Sequence, residues 1–288
     1  MKRIIALLLA AMMVFCLCAC GGESPADSEN DSKKASEKVE NADVTIEEQV
    51  LYDANDIKIT ATGLDDSWYG TELKLLIENN SSQDITVQAR NANVNGYMVT
   101  TSMSADVAAG KKANDSLTFE TTSLKDCGIE TMATMEFYFV IIDSKSFEDI
   151  YNTDVITINT SAADGYTQTY DDSGEVIAEV NGIKIVSKGL SEEDSFWGPG
   201  LVVYIENNSD QDITIQARDV SINGFMVEPS MSEDIVAGRR AITAVQFFDT
   251  DLEDNGIETI NDLELYFTIF NQESWDEIAN TDVINLSF

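Results

Sequence analysis

The chain is written twice. Residues 78–99, ENNSSQDITVQARNANVNGYMV, recur as residues 206–227, ENNSDQDITIQARDVSINGFMV. At an offset of 128, 15 of these 22 positions are identical, and three of the mismatches are Val/Ile, Val/Ile and Tyr/Phe exchanges. The offset persists through Met103/Met231, Gly110/Gly238, Gly128–Thr131 against Gly256–Thr259 and Thr153–Ile156 against Thr281–Ile284. Upstream, Ile57-Lys58-Ile59 matches Ile183-Lys184-Ile185 at an offset of 126, and a two-residue insertion around Ser191-Glu192 accounts for the step. Solenoid units run to about 20–50 residues. A period this long therefore describes a pair of whole domains of ordinary size. The copies span 48–161 and 175–288. The connector 162–174, AADGYTQTYDDSG, is small, polar and turn-rich, which predicts two beads with limited freedom.

Each copy reads as β. Ile57-Lys58-Ile59-Thr60 and Leu73-Lys74-Leu75-Leu76-Ile77-Glu78 alternate apolar with polar, apart from one doubled Leu. That is the period of a half-buried strand. Asn55-Asp56, Asn95-Gly96, Asn181-Gly182 and Asn223-Gly224 sit between apolar runs, where tight hairpins need residues tolerant of left-handed backbone. Asn79–Ser82 and Asn207–Asp210 mark a further turn. Met135–Ile141 and Leu263–Ile269 are the most buried-looking strands, and Val155–Asn159 and Val283–Ser287 close the copies. Many short strands and few helix patterns predict an all-β fold, with each copy a two-sheet sandwich.

The first 19 residues read as an export signal. Lys2 and Arg3 precede an apolar run of 16 residues, Ile4 to Ala19, shorter than the roughly 18–20 residues of a membrane-spanning helix. Its exit, Leu17-Cys18-Ala19-Cys20, resembles the lipobox of bacterial lipoproteins, although Cys18 is unusual at the middle position. The resemblance implies cleavage before Cys20 and lipidation of that cysteine. Ordinary secretion, with cleavage near Ala19, is the alternative. Residues 20–47 are rich in Ser, Glu, Asp, Lys and Asn and nearly free of large apolar side chains, so they read as a disordered tether. The expected address is the outer face of a cell membrane, reached through the lipid.

The two copies share a strand ending in Glu-Asn-Asn, a polar turn, Ile-Thr-Val/Ile, a hairpin through Asn-Gly, and a late Gly-Ile before an aromatic strand. This pattern looks like the immunoglobulin-like modules of Firmicutes surface lipoproteins. It implies tandem immunoglobulin-like β-sandwiches outside a Gram-positive membrane. It lacks the Cys…Trp…Cys core of antibody domains, and it carries no site residues over.

Composition limits the chemistry. Without the signal, 52 acidic residues face 15 basic ones, a net charge of about −37. Such a surface excludes nucleic acid and anionic headgroups as partners. The chain holds no histidine, the commonest general base and metal ligand. It shows no phosphate loop and no serine elbow. Of four cysteines, Cys16 and Cys18 leave with the signal and Cys20 carries lipid, which leaves Cys127 alone. Asn255 replaces it in the second copy, so it reads as a small loop or rim residue. A non-catalytic protein without cofactors is expected; a hydrolase working through carboxylates is the weakest alternative.

Three groups of residues stand out. Aromatic pairs precede the Glu-Asn-Asn strand, Trp68-Tyr69 in the first copy and Phe196-Trp197 in the second. Beside carboxylates they could stack on a sugar or clasp a cation, but because both copies keep the pair, a ring plugging the open end of the core is the simpler expectation. Asp251, Glu253 and Asn255, with Asp262 at the twelfth place, resemble part of a calcium loop. Glu253 is too long for its place, however, and the first copy offers Ser123, Lys125 and Cys127 instead. Met98 and Met103, recurring as Met226 and Met231, read as core packing rather than a Cu(I) site. Lys111-Lys112 and Arg239-Arg240 read as turn tips that discourage strand pairing at an edge. The expected function is a binding or interaction role toward a cell-envelope or extracellular ligand, with capture of a carbohydrate or cation at the loop ends as the rival.

Overall fold

A computed structural model describes residues 44–191 and 199–288. The signal, Cys20, most of the tether, and Phe196 and Trp197 lie outside them. Within them the fold is all-β apart from two single-turn helices, Thr121–Asp126 and Asp249–Asp254.

The first copy is a two-sheet sandwich. One sheet has the order Gln49–Ala54, Ile57–Asp66, Gly70–Asn79, Lys111–Glu120, Thr101–Ser102. The other centres on Thr134–Asp143, which pairs with Ile85–Val94 on one side and with Asp149–Asn152 and Ile156–Asn159 on the other. The alternation read in the sequence is the alternation of burial. Leu73, Leu75 and Ile77 are fully enclosed, and Lys74, Leu76 and Glu78 face outward. The doubled Leu thus places Leu76 on the outer face. Phe119, Phe137 and Phe139 meet the same interior from both sheets. The second copy repeats the plan with Ile183–Leu190, Gly200–Asn207 and Arg240–Phe247 in one sheet, and with Ile213–Ile222 and Asp262–Asn271 in the other.

The Asn turns work as their chemistry requires. Asn55-Asp56, Asn95-Gly96, Asn181-Gly182 and Asn223-Gly224 all have both residues at positive φ, the conformation whose twist matches two-residue hairpins. Asn79 and Asn207 do a different job. Each is fully buried at the end of its strand. The Asn79 amide donates to the Gln83 and Val107 carbonyls at 2.7 and 2.9 Å, and its Oδ1 accepts from the Ser81 N–H and hydroxyl. Asn207 makes the same four bonds with Gln211, Ile235 and Ser209. Both sheets of each sandwich are tied at that corner by one saturated side chain.

The connector departs from the picture of two beads. Lys188 binds Asp171 and Ser173, and Lys184 pairs with Asp172, fastening residues 171–173 to the second sandwich. On the other side, the Tyr170 hydroxyl donates to the Asn95 carbonyl at 2.9 Å, and Gln168 accepts from the Asn95 amide at 3.0 Å. The sandwiches also share backbone. Tyr97, just past the Asn95-Gly96 turn, pairs in parallel with Arg240, whose N–H donates to the Gly96 carbonyl at 3.0 Å. One sheet therefore runs from the first copy into the second. Tyr97 meets Tyr170 and Tyr204 edge-on, and the Arg240 guanidinium lies 4.0 Å over the Tyr170 ring while pairing with Glu206 at 2.7 Å. Arg239 pairs with Glu136, and Asn91 exchanges two 2.9 Å amide bonds with Gln272. Arg239-Arg240 accordingly secure a strand pairing instead of discouraging one.

Candidate functional site

The first aromatic loop is displayed, not packed. A turn closed by the Ser67 N–H and hydroxyl on the Gly70 carbonyl turns Trp68 outward, where it is 92 % exposed. The open end of the core is instead closed by the helix Thr121–Asp126, which inserts the buried Leu124. Burial of a ring therefore has no work to do there, and the plug expectation fails for Trp68. Tyr69 lies beside it, with ring centroids 5.5 Å apart. Its hydroxyl donates to the Glu120 carboxylate, and that bond raises the phenol above its usual range. The Tyr69 carbonyl also accepts from the Thr121 N–H. Trp68 is thus an exposed ring beside a fixed one, with Glu120 against the fixed ring and Asp65 and Asp66 just before them in the chain. An indole face next to carboxylates can stack on a sugar ring or hold an organic cation.

A second aromatic feature escaped the sequence reading. Phe147 and Trp275 occupy the same position in the two copies, at the tips of the hairpins that follow Thr134–Asp143 and Asp262–Asn271. Both sit at φ 60, a left-handed conformation that bulky residues rarely adopt. Both N–H groups bond back at 2.9 Å, to the Asp143 and Asn271 carbonyls. Both rings face solvent, at 81 % and 58 % exposure. The signal was present: at the shared offset, polar turns carry one aromatic each. Both copies thus keep an exposed ring at a position that backbone preference does not select, although the Trp275 ring also meets Phe270.

The calcium-like residues do not converge. Asp251 and Glu253 lie in the helix Asp249–Asp254, where successive side chains fan out around an axis, with Asn255 at its C-cap. Asp251 accepts from the Glu228 N–H at 3.0 Å, the Asn255 amide donates to the Asp251 carbonyl, and Asp262 starts the next strand and accepts from Ser287. Among the described residues, no three carboxylate, thiol or imidazole side chains are gathered as metal ligands. A helix in place of a loop is the physical reason.

Cys127 is a core residue, not a rim residue. It caps the helix Thr121–Asp126, its Sγ lies 3.8 Å from the Met98 carbonyl, and burial pushes its thiol up to about 12. A thiol held protonated is a poor nucleophile. Met226 corrects the reading of the methionines: it is exposed, whereas Met98 is buried against the second sandwich. Glu233 is displaced as well. Its desolvated carboxyl rises to about 7 although the Thr243 hydroxyl bonds to it. A cleft of about 380 Å³ opens at the seam, lined in part by Asn93, Glu136, Tyr166 and Arg239. Its main polar walls already satisfy one another, Glu136 through Arg239 and Tyr166 through Gln168, so the cleft reads as the outside of the junction.

No family model and no curated protein matches the chain. Solved structures similar to it include the YadV chaperone, at 12% identity over 80% of this chain and 100% of that one, with a TM-score of 0.25. The Pseudomonas aeruginosa CupB2 chaperone is similar at 11% identity over 75% and 92%, with a TM-score of 0.21. Likeness at this level carries no functional reading.

Proposed function

We propose that the chain is a non-catalytic binding protein, held at the outer face of a cell membrane by lipid on Cys20, that engages an envelope or extracellular ligand through exposed aromatic loops. The observation that carries the reading is Trp68. A chain that encloses Phe119, Phe137 and Phe139 leaves this indole in water, beside a tyrosine locked to Glu120. The hairpin-tip rings Phe147 and Trp275 supply further contacts. An enzymatic role finds little support in a chain with no histidine and a buried, protonated thiol. The experiment is Trp68→Ala in the full chain. Stability is expected to hold within about 0.5 kcal/mol, as for a surface position, while binding to a glycan array or to isolated cell envelope falls. Unchanged binding to both would overturn the aromatic-loop reading. A pull-down from native envelope, with Trp68→Ala as the control bait, then identifies the ligand.

A further inference from the structure

Independently of that reading, the junction inside the chain supplies a template for a contact between chains. The first sandwich offers a plug, the short strand Tyr97–Met98 behind the Asn95-Gly96 turn. The second offers a socket, the start of Arg240–Phe247. Docking leaves Tyr97 and Met98 only 1 % and 7 % exposed.

Duplication leaves one plug and one socket unused. The second sandwich carries its own plug, Phe225–Met226, built on the matching Asn223-Gly224 turn. It stands 47 % and 64 % exposed. The first sandwich carries the matching socket, Lys111–Glu120. This strand pairs along its length with Gly70–Asn79, but on its other side pairing is confined to its end, where Phe119 and Thr118 meet Thr101 and Ser102 and the Glu120 N–H donates to the Thr100 carbonyl. Among the described residues, no strand pairs with the edge from Lys111 to Leu117, although the Lys111 N–H bonds back to the Ala108 carbonyl. The charges match as well. Lys112 pairs with Glu78 as Arg240 pairs with Glu206. Glu136 binds Arg239 at the filled junction, and their counterparts Glu264 and Lys111 are both exposed.

We propose that a second copy of this chain fills the open edge: Phe225–Met226 of one molecule docks on the Lys111–Leu117 edge of the next, with Glu264 facing Lys111. The contact is heterologous, with a different surface on each partner, so it propagates head to tail. It is weaker than the internal junction. Asn114 stands where Ile242 does and Leu76 where Tyr204 does, and the connector's Tyr170 has no counterpart. The internal contact also enjoys the effective concentration of a short link, on the order of millimolar. Net charge sets copies against each other, but over a screening length of about 8 Å at physiological salt.

The test is cysteine cross-linking of the full chain in the membranes of expressing cells at physiological salt. Parallel pairing of Phe225 with Lys112 predicts that Phe225→Cys and Lys112→Cys in one chain give a ladder of oligomers on mild oxidation. Chains with either change alone, mixed, give a dimer. Each change alone gives no more than the wild type, which controls for the native thiols. Glu264→Lys is expected to suppress the ladder, and Lys111→Glu in the same chain to restore it; far-UV circular dichroism checks the fold. The proposal is overturned if the double-cysteine chain cross-links no more than the single ones, or if Glu264→Lys leaves the ladder unchanged.

Discussion

Replacing Glu233 with Gln should stabilise the protein, and by an amount that depends on pH. Glu233 lies on the strand Ser232–Ile235, opposite Ile215, at a position the first copy fills with the fully buried Ala105. A carboxyl has thus been set where the fold expects a methyl. Burial is the main cause of its rise from 4.5 to about 7; the neighbouring Asp234 adds to it, and the Thr243 hydroxyl opposes it. Below pH 4.5 the group is neutral in both folded and unfolded chains and costs nothing. As pH climbs from 4.5 to 7 the unfolded chain ionises first, so the folded state binds more protons and stability falls. At 1.36 kcal/mol per unit, the loss levels off near about 3 kcal/mol above pH 7. Glu233→Gln keeps the shape and an acceptor for Thr243 but never ionises. The assay is urea unfolding of wild type and variant from pH 4 to 8.5. The difference between the curves isolates this one group from the many other carboxylates, which both proteins share. The two should coincide near pH 4 and separate steadily to about 3 kcal/mol by pH 8. Parallel curves, or a variant no more stable at pH 8, would refute the assignment of a buried, destabilising charge.

Two further predictions address other parts of the fold. Asn79→Ala should cost about 2–4 kcal/mol in urea unfolding, because the Gln83 and Val107 carbonyls lose their partner inside the protein. Asn207→Ala should cost the same in the second sandwich, and Ser81→Ala, which leaves those carbonyls paired, clearly less. Phe147→Asn should gain about 1 kcal/mol, since Asn tolerates the left-handed backbone that Phe147 is forced into. Trp275→Asn should gain less, because Trp275 also gives up its contact with the Phe270 ring. A loss of stability in both would show that the rings are structural.

What the sequence disclosed followed from local rules. Alternation in Leu73–Glu78 named the inward face, and Asn-Gly pairs located hairpins, because strand period and turn conformation are properties of neighbouring residues. The single-turn helices went unseen: six residues are too few to show a helical period. That is why Asp251, Glu253 and Asn255 looked like a loop of ligands. Trp68 is illegible in the sequence for a different reason. Whether a ring plugs a core depends on what else reaches that end, and Leu124 arrives from a helix six strands further along the chain.

In a duplicated chain, residues that the copies share invite more weight than residues they do not. The junction shows why that rule misleads in a duplicated chain. Leu76 and Tyr204 both point out of their sheets, yet Tyr204 is buried because the first sandwich covers it. Thr60 becomes Val186, packed into the first sandwich's own core cluster. Asn114 becomes Ile242, packed against that same cluster, and Cys127, which packs beneath Met98, becomes Asn255 in the copy that covers nothing. Each exchange is apolar on the covered side and mostly polar on the open one. Two copies start identical, and only one plug and one socket can meet within a chain, so selection for a dry junction acts on one member of each pair. Divergence between the copies is therefore a map of the interface. On that map the open plug is the informative exception. Phe225 and Met226 stayed apolar although nothing among the described residues covers them, which is the pattern expected of a surface that another molecule covers.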